Sequence, residues 1–154
     1  MAVPDLHLCE STNQIVEKLF ELKDEDTRMS TFGSLPELAI FAGIFAIHKK
    51  KKPKKLKKQN KREVPGEVIE NNKLDQVIDI AMLKLKKNIE CLDPEKTSEN
   101  YSLFEEYTNA GLHLLDKELK KEHIEDTGIN QLLSELKEIN RTEENNPDWG
   151  TIEI

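Results

Sequence analysis

The sequence predicts an all-α fold: a compact bundle of about five helices with a basic loop and a flexible acidic C-terminal tail. Three observations carry that expectation. Apolar residues recur three and four positions apart in several stretches, the spacing that lines one face of a helix. No stretch of useful length alternates apolar and polar residues as a half-buried strand does. Hydrophobic residues make up 36% of the 154 and charged residues 34%, so the core is small and the surface heavily charged. That length has room for one domain. It divides into a helical domain over 1–139, including a lysine-rich loop over 49–66, and an acidic tail over 140–154.

The elements follow in order. Ser11 and Gln14 have the spacing of a capping box, and Ile15, Val16, Leu19 and Phe20 then predict a first helix over about 12–23. A second box, Ser34 with Glu37, opens a helix in which Leu38, Ala39, Ile40, Phe41, Ala42, Ile44, Phe45 and Ile47 leave almost no polar side. A helix apolar all round belongs at the centre of a core or in an interface. Pro53 and Pro65-Gly66 bracket residues 50–66 as an extended, mobile loop. Asn72 with Asp75 caps a third helix, striped by Leu74, Val77, Ile78, Ala81, Met82, Leu85 and Ile89. Asp93-Pro94 ends that stretch. A fourth helix starts near Ser98, with Leu103, Phe104, Tyr107, Ala110, Gly111, Leu114 and Leu115 on one face. Gly111 costs such a helix about 1 kcal/mol relative to alanine, so it marks a tight helix crossing. A fifth helix runs over about 127–139 on Ile129, Leu132, Leu133, Leu136 and Ile139. The tail retains the only tryptophan, Trp149, with Ile152 and Ile154 close behind.

Charge is the most uneven property of the chain. Residues 49–62 hold nine lysines and one arginine without an acid, a local +10, which leaves −17 on the remainder of a chain whose net charge is −7. A concentrated basic segment binds a phosphate backbone even on an acidic body, provided that it projects from that body. With no aromatic interleaved, the segment is not built to stack bases, and nothing in it resembles a recognition helix. The expected contact is with phosphates, blind to sequence, through Lys49, Lys50, Lys51, Lys52, Lys54, Lys55, Lys57, Lys58, Lys61 and Arg62. Contact with an acidic protein surface and a merely solubilising loop are the competing readings.

Other chemistry finds little support. Cys9 and Cys91 are far apart and without zinc-ligand spacing, which predicts free thiols in a reducing cytoplasm. The apolar run Leu35–Ile47 would rise about 20 Å against a hydrocarbon core of about 30 Å, so no membrane span is expected. His7, His48, His113 and His123 have no i, i+4 partner, and no metal or other cofactor is expected. Glu105 and Glu106 are adjacent on a helix and diverge by about 100°, so they do not converge on one substrate. Without a glycine-rich phosphate loop or a nucleophile motif, the chain is expected not to be an enzyme and to take no small-molecule substrate.

The stretch Leu103-Phe104-Glu105-Glu106-Tyr107-Thr108-Asn109-Ala110-Gly111-Leu112-His113-Leu114-Leu115 resembles a signature close to "IFEEYANGGLEIL". That signature belongs to the DNA-phosphorothioation (dnd) system-associated protein 4 family, small proteins of prokaryotic anti-phage defence loci. The order of features is similar as well: a hydrophobic helix around Ile40–Ile47, a basic linker, then Val77–Leu83, with the resemblance spanning roughly 12–139. The linker here is richer in lysine than the family pattern. The resemblance implies an accessory role in defence against foreign DNA, in a phosphorothioation system or one built on an SMC-like ATPase and an effector nuclease. It assigns no binding residues. The combined expectation is a cytoplasmic, non-catalytic subunit that docks on a larger ATPase or nuclease and holds double-stranded DNA by its backbone. Phe41, Phe45, Tyr107, Trp149 and Ile152 are the expected partner contacts. The alternatives are a homodimeric DNA-binding regulator and an antitoxin-like inhibitor acting through its acidic tail.

Overall fold

Helix α2, Leu35–His48, occupies the centre of the fold, buried through Leu38, Ala39, Ile40, Ala42, Gly43, Phe45 and Ala46. The structure is a computed structural model that describes residues 2–21, 28, 30–57, 59–121 and 136–137. Among these, the order is β1 (Leu6–Cys9), α1 (Asn13–Val16), α2, β2 (Gln59–Val64), α3 (Gly66–Asn71), α4 (Leu74–Lys86) and α5 (Thr97–Lys121). A 3₁₀ turn precedes α1 and a π turn follows it, so the chain is helical in one form or another from Glu10 to Glu21. The architecture is predominantly α, as expected.

Both ends of α2 are set by local chemistry. Ser34 Oγ accepts the Glu37 N–H at 3.4 Å, and Pro36 lies in the first turn, where its missing donor costs nothing. At the other end Lys50 adopts φ +53°. Its N–H bonds Ile47 O at 3.0 Å, and that of Lys51 bonds Ala46 O at 2.9 Å. This is the Schellman closure with a lysine where glycine is usual.

The long α5 crosses α2 at close range. A Cβ on Gly111 would lie 1.8 Å from Ala42 O, and one on Gly43 would lie 2.5 Å from the Phe104 ring. Hydrogen at Gly111 lets the two backbones approach so closely, and hydrogen at Gly43 leaves room for the Phe104 ring, so Gly111 is indeed a crossing residue. Thr108 Oγ1 donates to Ala39 O at 3.2 Å in the same seam. Around it Phe104, Leu112 and Leu115 of α5 join Ile78 and Met82 of α4 and Leu6, Leu8, Val16 and Leu19 of the N-terminal segment in one core. A fully buried side chain of this kind contributes about 1.5–3 kcal/mol.

Several elements differ from expectation. Leu6–Cys9 pairs antiparallel with Gln59–Val64, aligning Leu6 with Val64, His7 with Glu63 and Cys9 with Gln59 across an irregularity. The loop expected over 50–66 therefore ends in a strand. Leu6, Leu8 and Val64 are buried, and Glu105 Oε1 accepts both the His7 N–H at 2.7 Å and a hydrogen bond with His7 Nδ1 at 2.8 Å. The ribbon owes its place to α5 rather than to a strand pattern of its own. Helix α3 was not expected at all: Asp5 Oδ1 accepts the Gly66 N–H at 2.7 Å and so satisfies its first turn. Ser11 caps no helix, because the helical segment starts one residue earlier and its hydroxyl donates to Cys9 Sγ at 3.2 Å. Asn72 does not cap α4 either; its Nδ2 donates back to Val68 O at 2.7 Å and closes α3. The expected fifth helix lies outside the described residues except at Leu136 and Lys137, and the acidic tail lies outside them altogether.

Candidate nucleic-acid interface

The lysine segment leaves α2 as extended chain and runs across α5, and its path is fixed by backbone hydrogen bonds. Lys54 N–H bonds Glu106 O at 3.0 Å. Asn109 Nδ2 donates to Lys54 O at 2.9 Å and to Lys55 O at 3.4 Å. Asn109 is only 2% exposed, so the amide that holds the loop is itself held by the core. Leu56 is half-buried, while Lys50, Lys51, Lys52, Lys54, Lys55 and Lys57 are exposed. The segment is extended as expected, but tied down at its middle.

The ten expected phosphate contacts separate into groups. The six exposed lysines just named form no ion pair among the described residues. Lys49 sits 5.6 Å from the centroid of the Phe45 ring, a cation–π arrangement. Arg62 of β2 pairs with Glu21 and so ties the ribbon to the end of the first helical segment. Lys61 lies on β2, and Lys58 lies outside the described residues.

Between this loop and the start of the helical segment opens a cleft of about 400 Å³. Lys54, Lys55 and Lys57 line one wall, with Cys9, Glu10, Ser11, Asn109 and His113 completing it. Ser11 Oγ and His113 Nε2 are 3.3 Å apart. Burial first, then the charge of Lys54, push His113 below its ordinary pKa of 6.5, while Asp116 pulls the other way. The imidazole is therefore neutral at pH 7. The sequence put Ser11 in a cap and left His113 without a metal-ligand partner, and it contained no sign that the two meet the lysines. The anchors at Asn109 and Glu106 bring residue 54 beside residue 113.

The expected partner contacts are also divided. Phe45 and Tyr107 are 2% and 8% exposed, so their rings are used mainly within the chain's own core. Phe41 is half-buried, stacks on Phe45 at 5.7 Å and meets Phe32 at 5.3 Å. It lines an apolar groove of about 200 Å³ with Ile44, Ile47, Ala81 and Leu136, in which Ile44 and Leu136 are exposed. Trp149 and Ile152 lie outside the described residues. Both cysteines are buried, and neither forms a disulfide among the described residues. Among the described residues no helix is long and apolar enough to cross a membrane.

Fold and site together define a small helical protein that displays a fixed cationic loop beside a cationic cleft. Its family is identifiable: the chain matches DNA sulphur modification system-associated protein 4 over residues 9–151, and it belongs to that family. This agrees with the resemblance carried by Leu103–Leu115, a segment that now proves to be the α5 side of the central crossing and the anchor of the loop. The family's description is that of an associated protein, not of a catalytic subunit. No curated protein and no solved structure matches the chain significantly.

Proposed function

We propose that this protein is a non-catalytic accessory subunit of a DNA sulphur modification system acting in defence against foreign DNA. In that role it docks on a larger ATPase or nuclease and contacts the DNA backbone without sequence preference. The observation that carries the DNA contact is the anchored loop. Six exposed lysines project from a backbone segment that Asn109 and Glu106 hold against α5. A segment fixed before binding loses less conformational entropy when it engages phosphates. In this reading the partner docks at the apolar groove beside Phe41 and Ile44, whose described lining comes from α2, α4 and Leu136 and shares no residue with that of the cationic cleft.

The test is charge reversal in the full chain. Changing Lys50, Lys51, Lys52, Lys54 and Lys55 to glutamate is expected to abolish duplex binding by the complex purified from its host, while the complex still assembles. Retention of wild-type DNA affinity at low salt would rule out the loop as the DNA contact.

A further inference from the structure

We propose that the cleft between the lysine loop and the start of the first helical segment binds a phosphate monoester, as found at the end of a nucleic-acid strand or on a free nucleotide. Charge is the first argument. Among the described residues that line the cleft, Lys54, Lys55 and Lys57 face one carboxylate, Glu10, a balance of two positive charges. A phosphate monoester carries about −1.5 to −2 at pH 7, whereas each internal diester of a strand carries a single charge. An internal phosphate would leave the cleft with surplus positive charge, while a terminal one neutralises it.

Geometry is the second argument. The cleft's volume of about 400 Å³ exceeds what one phosphate fills and leaves room for the attached sugar. Ser11 contributes a hydroxyl donor 3.3 Å from His113 Nε2. Because a hydroxyl proton rotates freely, Ser11 can turn from Cys9 Sγ to a bound oxygen. Asn109 already holds the backbone carbonyls of Lys54 and Lys55, so the chain that bears two of the three cations is fixed beside the cleft before the ligand arrives.

His113 supplies a reporter. Lys54 and Asp116 act on it directly, and Lys55, Lys57 and Glu10 line the same cleft. A bound dianion offsets Lys54 and raises the imidazole's titration midpoint.

The nucleic-acid source of the phosphate rests on the DNA contact proposed above, whereas the chemistry of the cleft does not. Fluorescence anisotropy on the full chain compares one duplex carrying 5′-phosphates with the same duplex carrying 5′-hydroxyls. In parallel, ¹H–¹⁵N spectra follow titration with inorganic phosphate and with a nucleoside monophosphate. The phosphorylated duplex is expected to bind about fivefold or more tightly, a difference of about 1 kcal/mol. Lys54→Gln with Lys57→Gln is expected to erase that preference, and Lys50→Gln with Lys51→Gln to weaken both duplexes while keeping it. Phosphate is expected to shift Ser11, Asn109 and His113 and to raise the His113 midpoint. Equal affinity for the two duplexes, with no shifts at those residues, overturns the cleft and leaves the backbone contact standing. A preference that survives Lys54→Gln with Lys57→Gln overturns the cleft as well. Shifts confined to the cleft without any DNA binding uphold the cleft and overturn its nucleic-acid source.

Discussion

At Gly111 two opposed effects act on one atom. Alanine in its place would gain about 1 kcal/mol of helix propensity. It would also drive a methyl group to 1.8 Å from Ala42 O, a backbone atom that cannot rotate aside. Overpacking of this kind costs about 1–3 kcal/mol and more where backbone must shift, so the clash wins. Gly111→Ala is expected to lower the urea midpoint, and a variant as stable as wild type would show that the helices do not cross so closely. Asp79 presents the opposite case. Burial first, then Asp75 one turn earlier on α4, raise its carboxyl above the ordinary 3.8. A carboxyl whose folded pKa is raised destabilises the fold once it ionises, an effect that begins above pH 3.8 and is complete above the raised value. Asp79→Asn is therefore expected to raise the melting temperature at pH 7, with the gain disappearing below that ordinary value. A variant that melts lower at pH 7 would contradict this account of Asp79.

The elements show how local signals compete. Ser34, Pro36 and Glu37 begin α2 as their spacing requires, because all the groups involved lie within one turn. Ser11 and Asn72 match the same kind of pattern and do not cap, because other partners lie nearer once the chain is folded. The strand Leu6–Cys9 has too few residues to show an alternating pattern, and β2 has only Val64 as an apolar residue. Two-stranded ribbons are marginal alone, and this one depends on Glu105 and the core beneath it. The C-terminal closure of α2 offers an independent check. Lys50 holds φ +53°, where a side chain costs about 1–2 kcal/mol, partly offset by the greater freedom of glycine in the unfolded chain. Lys50→Gly is expected to stabilise the protein by about 0.5–1 kcal/mol in equilibrium denaturation while removing one of the loop's charges. A loss of stability would mean that the Schellman closure is not the relevant state.

Across the whole molecule, the basic loop and the acidic remainder compete for the same ligand. The +10 segment attracts a duplex that the other −17 charges repel, and the repulsion acts from farther away when salt is low. If the six exposed lysines each neutralise one phosphate, the logarithm of the binding constant is expected to fall with the logarithm of salt at a slope of about −5. Measuring the slope between 50 and 200 mM salt checks this. A slope near zero would mean that counterion release does not drive the contact.

The amino-acid sequence by itself determined that the fold is built of helices, where α2 and α5 lie, that Gly111 marks a crossing, and that positive charge is gathered in one segment. Each of these rests on residues near one another in the chain: a helical period, a capping turn, a run of lysines. It also sufficed to point to the family, through thirteen consecutive residues of α5. The tertiary structure alone decided that the basic segment is pinned rather than loose, that Arg62 is spent on Glu21, and that Ser11, Lys54 and His113 meet in one cleft. The first and last of these rest on contacts such as that of Asn109 with a carbonyl 55 positions away, and the second on an ion pair between residues far apart in the chain. No local pattern encodes such a contact, because an asparagine on a helix has the same spacing whatever crosses it.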